Sequence, residues 1–263
     1  MNDFKIGTAP AIRIENLLLS YRKKPLFENF HLTIAAGQWT CLLGPSGIGK
    51  TTLLRIVAGL PIETEENAFS VSLHIDNRDP ASFPIAYMAQ NDMLLPWLTV
   101  LENVLIEYRL RTQSYHKKDK LHEALTLLAQ VGLSHVAHVY PHQLSTGMRQ
   151  RAALVRTLIG DHSIVLMDEP FSALDTITRF HLQNLAAQLL TGRTILLVTH
   201  DPLEAIRLAD TIHVLSNAPA KLLSTVSIED PRPRPLSDPK WLTIQTQLFS
   251  MLTQAHEEFY ANQ

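Results

Sequence analysis

Gly44-Pro45-Ser46-Gly47-Ile48-Gly49-Lys50-Thr51-Thr52 stands between the apolar run Trp39-Thr40-Cys41-Leu42-Leu43 and the helical run Leu53-Leu54-Arg55-Ile56-Val57-Ala58. It fits G-x-x-x-x-G-K-[ST], a strand-loop-helix pattern whose glycines let successive backbone N–H groups converge on phosphate oxygens. The helix N-terminus adds a favourable dipole, Lys50 reaches the β- and γ-phosphates, and the Thr51 hydroxyl suits magnesium. A bare Gly-rich turn would need neither Lys50 nor Thr51. Residues 44–52 are therefore read as a cradle for a nucleotide triphosphate.

Working outward, short β-branched or Leu-rich runs at 12–14, 17–21, 39–43, 71–75, 164–167, 194–198 and 211–215 predict strands. Between them, the stretch from Lys120 to Val131 puts Leu121, Leu125, Leu128 and Val131 on one helical face and meets Gly132 as a stop. Asp201-Pro202-Leu203-Glu204 signals another helix start, with a carboxylate cap and Pro at the first helical position. The region from about 98 to 160 reads as mainly helical, and strand-helix alternation resumes from 164 to 215. Such an order predicts an α/β fold, a parallel sheet flanked by helices with the middle helices inserted as a lobe. Pro231-Arg232-Pro233-Arg234-Pro235 interrupts regular structure, and a short helix is expected at 241–252.

Downstream of the cradle, the apolar strand Ile164-Val165-Leu166-Met167 ends in Asp168-Glu169. A buried strand that delivers carboxylates beside a phosphate loop suits a metal site, with Asp168 holding Mg2+ through water and Glu169 polarising the attacking water as general base.

Composition excludes several classes. The 263 residues carry 23 Lys plus Arg and 25 Asp plus Glu, a net charge of −2, which disfavours nucleic acid as a partner. Cys41 is the single cysteine, so no internal disulfide forms, and it reads as a small core residue. The first ten residues lack a secretory apolar region, and no run approaches the roughly 18 apolar residues that span a bilayer. A cytoplasmic protein is expected, with any membrane work left to a separate partner.

Three further motifs lie in order with these two. Leu144-Ser145-Thr146-Gly147-Met148, with Arg149-Gln150-Arg151 after it, precedes the acidic strand end; Ser172-Ala173-Leu174-Asp175 and Leu197-Val198-Thr199-His200 follow it. Together the five motifs, within about 12–215, resemble the ATP-binding cassette family of transporter ATPases. The resemblance implies a P-loop NTPase with a RecA-like core, an N-terminal antiparallel β subdomain and an inserted α-helical subdomain. The cassette would span 1–225, its helical part about 91–160, followed by a short extension at 226–263.

Residue by residue, the resemblance implies that Gly44, Pro45, Ser46, Gly47, Ile48, Gly49, Lys50, Thr51 and Thr52 hold ATP and that Tyr21 stacks on adenine. Gln90, in Ala86-Tyr87-Met88-Ala89-Gln90, matches the Q-loop glutamine, which with Thr51 and Asp168 would surround Mg2+. Ser145 and Gly147 match the signature, Asp175 the D-loop and His200 the switch histidine, with Glu169, His200 and Gln90 as the catalytic set. A neutral Gln supplies donor and acceptor without added charge, and a histidine past a strand's C-terminal end faces the ligand crevice. Ser145 opens a helix, whose N-terminus is an anion site. In the family that site meets the γ-phosphate bound by the other subunit, so a second ATPase subunit, as a homodimer, is implied.

The implied assembly adds transmembrane permease subunits and, indirectly, a periplasmic solute-binding protein, at the cytoplasmic face of the inner membrane. The apolar Met93, Leu94, Leu95 and Trp97 are candidates for the groove that receives the permease, or else for the lobe's core. The stretches 37–44, 88–97 and 167–175 look like the importer branch for nitrate, sulfonates, taurine and thiamine pyrimidine precursors, most of all the hydroxymethylpyrimidine members. The signature departs from its common form at Thr146 and Met148, and a β-branched Thr146 would be strained if its φ were positive. His135, His138 and His142 have metal-like spacing but no cysteine partner, so a structural or solvated role is expected. Glu102 and Glu107 have no identifiable chemistry. The alternative function is a non-transport ABC-type ATPase, against which the short stretch from Gln90 to Ser145, with no room for a long coiled coil, counts.

Overall fold

The computed structural model describes residues 9–21, 23–62, 68–76, 83–110, 117–217 and 219–261. The opening Met1 to Thr8, read above for a leader, lies outside them. The chain divides into two compact units, Met1–Ile85 with Ser163–Asp168 and Thr191–Gln263, and Ala86–His162 with Glu169–Leu190. Elements in chain order are β1 (Ile12–Tyr21), β2 (Lys24–Ile34), β3 (Trp39–Leu43), α1 (Lys50–Val57) and β4 (Phe69–Ile75), all in the first unit. β5 (Ile85–Met88) lies where the chain passes to the second unit, which holds α2 (Val100–Val104), α3 (Ile106–Leu110), α4 (Lys117–Gln130) and α5 (Thr146–Leu158). β6 (Ile164–Asp168) returns to the first unit, α6 (Thr176–Leu189) belongs to the second, and β7 (Thr194–Val198), α7 (Pro202–Leu208), β8 (Thr211–Ser216), β9 (Lys221–Ser227) and α8 (Trp241–Ala261) complete the first.

In the first unit an antiparallel sheet runs β2-β1-β4. A larger sheet has neighbours in the order β6-β7-β3-β8-β9. β3 pairs in parallel with β7 and β8, and β6 with β7. Every residue of β3, β6 and β7 is buried, as parallel strands covered on both faces require, which is why they read as continuous apolar runs.

The two strands expected at 12–14 and 17–21 form one, β1, with a register break between Ile14 and Leu17. Asn16 takes φ 52 there, a conformation its short polar side chain tolerates. The buried face of α4 also differs from the expected one. Ala124, Leu127, Leu128 and Val131 are buried, whereas Leu121 and Leu125 are each 40% exposed. Both sets satisfy helical spacing; packing against α2 and α5 selects between them. The stop at Gly132 has φ 72, with Leu133 N donating to Leu128 O at 2.7 Å. α8 runs well past the expected 241–252.

Candidate functional site

The parallel register brings the phosphate loop, Asp168 and His200 to one end of the larger sheet. Val198 stands level with Leu42 of β3 and with Asp168 of β6. The C-terminal ends of β3, β7 and β6 therefore deliver the phosphate loop, Thr199-His200 and Asp168 side by side, the place where open α/β sheets bind ligands. Thr199 N donates to Leu42 O at 3.3 Å, so the chain leading to His200 runs along the strand that feeds the loop. His200 is exposed.

Gly49 caps α1 at φ 100 with no side-chain cap bond, and no carboxylate stands in the helix's first turn. A Cβ at Gly49 would lie 2.8 Å from Phe27 Cζ, so only glycine permits this approach. Lys50 is buried and its Nζ donates to Gly44 O and Pro45 O at 2.7 and 2.8 Å, which holds a positive charge within the loop. Thr51 opens α1 on its exposed side. Tyr21, half-exposed, lines a shallow recess with Thr52, Arg55 and Ile62.

In the second unit, Glu169 has φ 48, in the left-handed region. Four of the described positive-φ residues other than glycine are Asn or Asp, while Lys23, Met93 and Glu169 are not; a glutamate there costs more, of order 1–3 kcal/mol. Its carbonyl is held by Gln150 Nε2 and Ser172 Oγ, both at 3.0 Å. Gln150 Oε1 also accepts from Ala173 N at 2.9 Å, and a Cβ at Gly147 would lie 3.3 Å from Ala173 O. Thus Glu169, the 172–175 turn and the start of α5 form one bonded cluster within this unit. Ser145 caps α5, its Oγ accepting from Met148 N at 3.3 Å. Asp175 caps α6 through Thr178 N at 3.0 Å, a bond that holds its carboxyl below the usual range. Gln90 is exposed.

Thr146 is not among the positive-φ residues and is the first helical residue of α5, so the strain considered above does not arise. Its hydroxyl accepts from Arg149 Nη2 at 3.2 Å. Thr146→Gly is expected to leave ATP turnover within about twofold and to cost stability of about 0.5 kcal/mol through lower helix propensity; steady-state ATPase assays and thermal melts check both.

The apolar segment after Gln90 divides. Met93 and Trp97 are 66% and 69% exposed, while Leu94 is 8% exposed and belongs to the lobe's core. Residues without a sequence signal shape this segment. Buried Asn103 accepts from Leu95 N at 2.7 Å and donates to the carbonyls of Leu95, Leu98 and Thr99. Arg149 Nε bonds Asp92 Oδ2 at 3.0 Å, and Arg156 donates to the carbonyls of Asp92 and Met93 at 2.7 Å.

Glu102 does have a role. It closes a capping box with Thr99, which lowers its pKa. Glu107 pairs with His162 at 3.1 Å. Cys41 is buried in β3, and burial pushes its thiol well up. His135, His138 and His142 are exposed.

The sequence profile described as ABC transporter matches residues 27–172. The chain is 40% identical over 244 residues to an uncharacterized ABC transporter ATP-binding protein of Haemophilus influenzae, covering 92% of this chain and 98% of that protein. It is 39% identical over 222 residues to the taurine import ATP-binding protein TauB of Yersinia pestis, covering 82% and 84%. Among solved structures it is similar to the dimeric, post-hydrolysis ATP-binding cassette MJ0796 bound to ADP and Pi, with a TM-score of 0.69, 27% identity, and coverage of 83% of this chain and 99% of that one.

Proposed function

Because the chain belongs to the ABC transporter family and has the P-loop NTPase fold of its ATP-binding cassettes, we propose that it hydrolyses ATP at an interface between two copies to drive solute uptake through a separate permease. The observation that carries this is the shared sheet edge, where the phosphate loop, Asp168 and His200 end three adjacent parallel strands. Lys50 and the loop N–H groups bind the β- and γ-phosphates, and Tyr21 stacks on the adenine. Glu169 takes the proton of the attacking water, which Gln90 orients, and His200 bonds the γ-phosphate. Ser145 and Gly147 of one copy, with Asp175, close over the triphosphate held by the other. The dimeric MJ0796 cassette supports that arrangement.

The residues present fit magnesium. Thr51 offers a hydroxyl and Asp168 a carboxylate, α1 packs on β6, and hard oxygen donors of this kind suit the ion; Gln90 would add an amide oxygen. Bound there, magnesium supplies charge neutralisation on the β- and γ-phosphates.

Among the described residues no helix is long and apolar enough to cross a membrane. The importer relatives support assigning the pathway to permease subunits, with this chain at their cytoplasmic face and a periplasmic solute-binding protein presenting the solute. The taurine-import relative favours a sulfonate-type solute over the nitrate-type and hydroxymethylpyrimidine alternatives. Reconstitution with the permease and binding protein tests the whole reading. ATP turnover should rise with the sulfonate and fall to background without magnesium, and turnover indifferent to permease and solute would overturn it.

Exposed Met93 and Trp97 are the surface offered to the permease. Trp97→Asp is expected to cut transport at least tenfold with the fold intact. Leu94→Asp should instead lose about 2–4 kcal/mol of stability, because it buries a carboxylate and removes core packing. Transport assays paired with thermal melts separate the two.

A further inference from the structure

The end of the C-terminal helix meets the phosphate loop. α8 buries Trp241, Leu248, Ala255 and Phe259, a stripe at helical spacing, and packs on β8 and α7. β8 leads to the loop, since a Cβ at Gly44 would lie 2.7 Å from Leu215 O. A helix that follows β8 is thereby carried to the same place. In its last turn, Phe259 Cζ lies 3.8 Å from where a Cβ on Gly47 would stand, and among the described residues it is the only heavy atom within 4 Å of that point beyond the chain neighbours. Phe259 is 6% exposed, and Tyr260 packs edge-on against its ring with centroids 5.3 Å apart.

Gly47 has φ +84 and is exposed. It has no side chain of its own to hold its peptide, and an unsupported glycine loses the most freedom when a ligand orders it. We propose that Phe259 is a positioning residue of the nucleotide site, its ring backing the Gly47 peptide so that the loop's N–H groups stay turned to the phosphates. This rests on the loop binding a nucleoside triphosphate. By linkage, whatever Phe259 contributes to nucleotide binding, bound nucleotide returns to the docking of α8's last turn by the same factor.

Two measurements on the full chain test this. Phe259→Ala should raise the Kd for MgATP about five- to tenfold, at the low end of usual couplings, and Phe259→Leu should recover most of the loss. In the wild type, saturating MgATP should slow amide hydrogen exchange at residues 257–261 by a comparable factor, a readout that needs no substitution. A side chain with a merely structural role would lower the melting temperature of the ligand-free variant and leave both quantities unmoved. Unchanged or tighter MgATP binding by a folded Phe259→Ala chain, or exchange at 257–261 indifferent to MgATP, overturns the proposal. A wild-type chain that binds no MgATP overturns the nucleotide site and the proposal together, whereas wild-type binding that ignores Phe259 overturns the proposal alone.

Discussion

Glu169→Gln is expected to lower ATP turnover by at least about 100-fold, the usual worth of a positioned general base, while MgATP binding persists. The substitution keeps shape and hydrogen-bonding reach and removes the one property the chemistry needs, a basic carboxylate. Its backbone should respond little, because the carbonyl at this φ of 48 is held by Gln150 and Ser172. On the proposed arrangement, in which the signature end of α5, from Ser145, closes on the other copy's triphosphate, the stalled chain should then accumulate as an ATP-bound dimer. Single-turnover hydrolysis and size-exclusion chromatography with and without MgATP read the two effects. Turnover within a few fold of wild type would show that another group takes the proton.

Arg234→Leu is expected to have the largest effect on stability, about 3–5 kcal/mol, and to lower Tm by roughly 10 °C. The residue is fully buried, although Pro231 to Pro235 reads as an irregular linker. Its guanidinium donates to the carbonyls of Ile206 and Ala209 at 2.9 and 2.6 Å, and to those of Ile228 and Asp230 at 3.1 and 2.6 Å. The first two close the end of α7, whose last carbonyls have no partner within the helix. Asp210 Oδ1 lies 3.6 Å away and the Trp241 ring stacks nearby. Burial pulls the pKa down to about 10, so the group stays charged at neutral pH. Leucine would fill only part of the volume and leave these carbonyls dry and unpaired. Arg234→Lys should lose less but still measurably, since one ammonium cannot span the same acceptors. Thermal and urea melts decide, and a Leu variant as stable as wild type would show that the linker bears no load.

Elements that face water on one side were the least legible. β2 begins Lys24-Pro25 and its burial does not alternate until its second half; what makes it a strand is the partner strand β1. β9 is an edge strand, largely exposed and paired with β8 alone. Asn103 gives no signal in a sequence, because an asparagine on an exposed helix and one that organises four backbone groups are the same letter. Arg149 and Arg156 likewise carry nothing in the sequence that points to their bonds with the 92–93 segment.

Local order along the chain was enough to determine the phosphate loop, the strands buried on both faces, the capped starts of α5 and α7, and the family, since each depends on residues adjacent in sequence or on motif order. Only the tertiary structure decided that Trp97 faces out and Leu94 in, that α4 buries Leu127 and Leu128 and leaves Leu121 and Leu125 exposed, that Arg234 plugs α7, and that Phe259 is brought close to Gly47. These are choices among faces and partners that equal spacing leaves degenerate, and burial against residues far along the chain is what breaks the tie.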